Sequence, residues 1–194
     1  MNEIDARIAV PFPAPPPEVL DALELLQILR RGDPDEMAAA NDLTDLPRPW
    51  EPANCPDDLR EAVWEWCDQV AAWLNREYVW RPTQIIPPCW PRHPHLAREL
   101  AVLSILRWNA EQATTPDVLE EWNRYAYPMF CERMLDRLGE NSCRTGKHTD
   151  WPAASRHAAF ISDEAIAERQ QVIFNDARPV VDLDAERHGR RREQ

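Results

Sequence analysis

The chain has 194 residues and a formal charge of −12, with 44% hydrophobic residues, 19 prolines, nine tryptophans and only four glycines. So few glycines exclude the Gly-rich phosphate loops, which need them closely spaced. The acidic balance argues against duplex binding by the body, because such binding rests on counterion release at a basic face.

No apolar run approaches the roughly 18–20 residues of a membrane helix. The acidic start shows no secretory apolar segment. The five cysteines form an odd set and read as reduced thiols of a cytoplasmic protein rather than a disulfide framework.

Residues 1–17, with Pro11, Pro13, Pro15, Pro16 and Pro17, are expected to be an extended, disordered, poorly packed head. Residues 18–55 form an amphipathic acidic helix and a Pro-rich linker. That helix should start near Pro17 and stop at Gly32 after Arg30 and Arg31, a basic C-terminal turn followed by glycine. Leu20, Leu23 and Leu26 would dock it helix-in-groove on a protein partner. The same stripe could equally pack on its own domain. Asp33 and Pro34 could cap a short helix over 35–40.

The main domain is placed at 56–175. Leu59, Val63, Trp66, Cys67, Val70, Trp73 and Leu74 recur at helical spacing. Residues 79–93 are broken by Pro82, Pro87, Pro88 and Pro91 into a loop. Pro94 suits the first position of a second long helix, buried on two faces through Leu96, Leu100, Leu103 and Arg107, and through Ala97, Ala101, Ser104 and Trp108. Thr115-Pro116-Asp117 reads as the capped start of a third helix, which Pro128 should kink or split in two. Gly139 ends that helix, and a polar loop occupies 140–157. A last helix should open at Ser162 with Ile166, Ile173 and Phe174 inward. Residues 176–194 are expected to be a disordered tail. The fold class is all-α, four to five helices around one Trp-rich core.

The distribution of cysteine and histidine carries the most chemistry. Cys89 and His93, and Cys143 and His148, form two short-spaced pairs in loops beside helices. Zinc takes four tetrahedral nitrogen and sulfur ligands, so these residues could make a closed, structural site. Arg144 and Lys147 would favour a charged thiolate. The bland alternative is a helix-entry histidine and a small loop cysteine. Cys67 and Cys131 read as core and Cys55 as incidental. Trp66, Trp73, Trp108 and Trp122 read as core, while Trp80, Trp90 and Trp151 in loops either pack or receive a ligand. No zinc-protease, hydrolase, kinase or dinucleotide fingerprint is present, and Ser155 beside His157 is not a triad without geometry.

Trp90-Pro91-Arg92-His93-Pro94, the Leu-rich helix ending near Trp108, Trp122, and the pair Cys143 and His148 resemble an uncharacterised family from actinobacterial plasmids, phages and integrated elements. The resemblance spans about residues 59–150, with Trp90, His93, Cys143 and His148 at the recurring motif. It implies a cytoplasmic accessory protein of a mobile element and supplies no activity. The expected function is therefore non-enzymatic interaction or regulation, with zinc as a structural cofactor. Two alternatives stand beside it. One is a nucleic-acid role, by acidic DNA mimicry or by phosphate contact through Arg187, Arg190, Arg191 and Arg192. The other is an enzyme of unknown class.

Overall fold

The computed structural model describes residues 8–32, 46–139, 143, 147–150 and 153–177. It is all-α, and no β-strand occurs among the described residues. No helix among them is long and apolar enough to cross a membrane. The chain divides into two compact units, Met1–Trp151 and Pro152–Gln194. The division falls inside the 56–175 span expected to be one domain, and the first unit takes in the N-terminal segment as well.

Helix α1 runs Pro17–Arg31. Proline opens it where a missing N–H costs nothing. Gly32 closes it at φ 68°, where a side chain would be strained, and its N–H donates to Ile28 O at 3.1 Å. Val19, Ala22 and Leu23 are buried against α2, Asp57–Glu77. Leu20 stays exposed and Leu26 half-buried. Of the three leucines expected to meet a partner, Leu23 belongs to the chain's own core, while Leu20 and Leu26 keep surface outside it. Residues 35–40 lie outside the described residues.

The head also differs from expectation. Residues 10–16 are extended, as their prolines require, yet firmly packed. Phe12 is buried edge-on against Trp66 and Trp73. The Trp66 indole N–H donates to Pro13 O at 2.9 Å, and that of Trp73 to Val10 O at 2.8 Å. Prolines leave backbone carbonyls without a ladder, and buried indoles need acceptors. The two needs meet here.

The linker residues before α2 are likewise fastened. Pro49, Pro52 and Cys55 are buried. Arg60 donates through Nε to Pro52 O at 3.1 Å and through its terminal nitrogen to Cys55 O at 2.7 Å. Cys55 is thus a core residue rather than incidental.

Helix α3, Pro94–Glu111, is buried on two faces as expected, from Leu96 and Ala97 to Ala110. The Thr115 hydroxyl does not cap the next helix: α4 runs Asp117–Glu121, and Thr115 donates to the Asp117 carboxylate instead. Pro128 interrupts the regular hydrogen bonding of the continuing helix without ending it. A π-helical turn over Trp122–Ala126 lies between α4 and α5, Tyr127–Leu138. A widened turn gives room to a ring that would otherwise meet the carbonyl four residues back. Glu99 on α3 receives Arg133 at 2.8 Å and Arg137, which ties α5 to α3.

The second unit contains α6, Ala154–Phe160, and α7, Asp163–Asp176. Helix α6 occupies part of the expected polar loop. The Ser162 hydroxyl caps α7 by accepting from the Ala165 N–H. Ile166 is only half-buried, while Ile173 and Phe174 are 67% and 56% exposed. Their predicted inward orientation is thus corrected. Two short helices have too little surface to enclose a core of their own.

Candidate metal centre

The cluster is assembled at the entry of α3 and past the end of α5. Pro87 and Pro88 lead into a tight turn at Trp90–Arg92. Within it the Trp90 N–H donates to Pro87 O and the His93 N–H to Trp90 O. Pro94 forces His93 away from helical backbone angles, to φ −113° and ψ 93°. This puts the His93 ring back over Cys89. Gly139 stops α5 at φ 74°. Beyond it Cys143 has φ 60°, the one non-glycine residue with positive φ among those described. Such a conformation is costly for a cysteine and persists where surroundings demand it.

The ligating atoms of Cys89, His93, Cys143 and His148 all lie within 4.8 Å of one another. His93 Nε2 is 3.5 Å from Cys89 Sγ and 3.2 Å from Cys143 Sγ. Cys143 Sγ is 3.8 Å from His148 Nδ1. Tetrahedral bonds of the usual zinc lengths would separate neighbouring ligand atoms by about 3.3–3.8 Å. Two thiols and two imidazoles at these spacings can hold a metal ion. His93 is 1% exposed and Cys143 4%, so an ion there would be largely dry.

The surroundings suit ligation. The Thr149 N–H donates to Cys143 Sγ at 3.4 Å, a contact that favours negative sulfur. His148 Nε2 lies 3.7 Å from Asp150, so a carboxylate stands behind the ring on the side away from the cluster. His93 is held below the ordinary histidine pKa, first by burial and then by the rings of His148 and His95, with Asp150 opposing. That keeps it in the neutral, ligating form. Burial, followed by the adjacent Cys143, pushes the Cys89 thiol up. A bound cation would reverse that balance. Lys147 is exposed, and Arg144 lies outside the described residues.

The other thiols contrast with these. Cys67 is fully buried, and burial pushes it up to about 12. Burial raises Cys131 as well. Both are core residues, as their helical spacing indicated. Trp66, Trp73 and Trp122 are buried and Trp108 is half-buried. Trp90 is 4% exposed and Trp80 94%. Trp151 and the arginines at 187, 190, 191 and 192 lie outside the described residues. Ser155 and His157 are exposed two positions apart on α6, where side chains do not face each other.

Sequence reasoning missed Trp64, Thr149 and Asp150. Trp64 had a signal: it lies off the apolar stripe of α2, and a large aromatic there needs a second contact. It finds one at Trp90, with ring centroids 6.1 Å apart. Comparison with known protein families, with curated proteins and with solved structures finds no match to this chain.

Proposed function

We propose that this chain is a non-enzymatic interaction module, a cytoplasmic accessory protein of a mobile element, closed by a structural zinc ion. The convergence of Cys89, His93, Cys143 and His148 within 4.8 Å carries the reading. Two thiolates and two neutral imidazoles suit zinc better than a hard, oxygen-seeking cation. Four protein ligands leave no coordination position for water or substrate, so the ion would clamp rather than catalyse. The clamp joins segments fifty residues apart. Thiolate ligands fit a reducing compartment. The mobile-element context is supported by the motif resemblance around Trp90 and His93.

Elemental analysis of the purified, reduced protein tests the clamp. One zinc per chain is expected, with its loss in Cys143→Ser. Cobalt(II) substitution should give the intense visible bands of a tetrahedral sulfur and nitrogen site. Trace zinc with no cobalt spectrum would remove the reading.

A further inference from the structure

A cleft of about 700 Å³ lies between α2 and the turn that leads into α3. Trp64, Trp90, Pro91 and Ala97 make its apolar wall, and Glu65 and Asp68 bring carboxylates to it. The two indoles are tilted by 53° to each other, so they do not close the space by stacking flat. The Trp90 N–H donates to Asp68 Oδ1 at 3.1 Å, which steadies the ring and leaves the second carboxylate oxygen to accept elsewhere. No basic side chain is among the lining residues.

Indole faces attract cations through their quadrupole. Guanidinium adds a planar fork of donors that matches carboxylates and stacks on aromatics, which an ammonium does not. We propose that this cleft receives an arginine side chain of a partner protein, stacked on the half-buried Trp64 ring, which the buried Trp90 supports, and hydrogen-bonded by Glu65 and Asp68. The volume exceeds one arginine side chain, so residues flanking it would sit on Pro91 and Ala97. Net charge complements the occupant, because the chain as a whole carries −12. The inference rests on the interaction-module reading and supplies its recognition surface.

The test uses the full-length, 15N-labelled protein with its zinc content measured on the same sample. The probe is an acetylated Ala-Arg-Ala amide, compared with its Ala-Gln-Ala counterpart. Saturable shifts are expected at the indole N–H signals of Trp64 and Trp90, with Trp66 and Trp73 unmoved. The glutamine peptide should bind at least tenfold more weakly. Glu65→Gln combined with Asp68→Asn, both exposed positions, should weaken the arginine peptide at least tenfold while the thermal melt is retained. Trp64→Leu should do the same if that pair fails to fold.

Equal binding of the two peptides, or binding indifferent to these substitutions, overturns the proposal. So does binding that emerges only when Arg187, Arg190, Arg191 and Arg192 are all changed to glutamine, since the occupant would then be this chain's own segment. Zinc-loaded protein that ignores arginine removes the cleft and leaves the clamp. Arginine binding by protein lacking zinc does the reverse.

Discussion

The two ends of α3 are secured by different physics. At its first turn His93 is enclosed by sulfur and imidazole groups. About 20 Å further along, at 1.5 Å per residue, Arg107 is enclosed by aromatic rings. Its guanidinium lies 5.1 Å from the Phe12 centroid, 5.5 Å from Trp73 and 5.8 Å from Trp122, with Glu111 paired at 2.5 Å. The aromatic end holds a buried cation against three ring faces and a carboxylate, with Arg107 Nε left without a hydrogen-bond partner and the Trp73 and Trp122 indole donors matched to carbonyls. The other end gathers four ligand atoms that all lie within 4.8 Å of one another. His93 turns Nε2 to both sulfurs, and Cys143 is held in a strained backbone conformation. The ring box is a packing contact, whereas four converging ligand atoms make the other end a possible metal site.

The contrast can be broken at either end. Withdrawing metal with a chelator should have the largest effect. With free zinc initially a thousandfold above its Kd, about 4 kcal/mol of stability should disappear, read as a lower urea midpoint by tryptophan fluorescence. No shift on chelation would equalise the two ends. Phe12→Ala should cost about 3 kcal/mol, the low end for emptying a buried aromatic site, and should not alter zinc content. Were it to cost nothing, the proline-rich head would not be part of the core.

Arg107→Ala should rank next, at about 2 kcal/mol from lost cation–aromatic contact and packing. Arg107→Met should recover part of that, because a methionine stem fills the ring box without a charge to desolvate. A finer test is pH. The folded His93 pKa lies below its unfolded value of about 6.5. Its contribution to the metal-free chain is therefore complete above that value and is lost as pH falls through the folded pKa. The urea midpoint of the metal-free chain should fall on acidification in this window, and fall less in His93→Gln. The smallest effect belongs to α7: Ile173→Ser should change stability by no more than about 0.5 kcal/mol, as for other exposed positions.

How much was legible varies by residue type. The starts of α1 and α3 were readable because proline at the first helical turn acts locally, as were the stops at Gly32 and Gly139. The inward stripe of α2 followed from period alone. The Cys and His pairs were found by spacing, although nothing in spacing brings residue 93 to residue 143. Three misreadings share a cause. The head, Cys55 and the α7 isoleucines were assigned by local composition, yet burial depends on what lies opposite. Phe12 found Trp66, Trp73 and Arg107. Ile173 found no comparable cover.

By itself the sequence determined the all-α class, the helix boundaries set by proline and glycine, and the four residues able to ligate a metal. These depend on backbone sterics and side-chain chemistry, which act within a few residues. Only the tertiary structure decided that two Cys–His pairs come together, that a proline-rich extended segment lies on α2, and that Trp64 and Trp90 frame an acidic cleft. Each is a long-range meeting whose energy comes from groups far apart in the chain, so no local pattern records it.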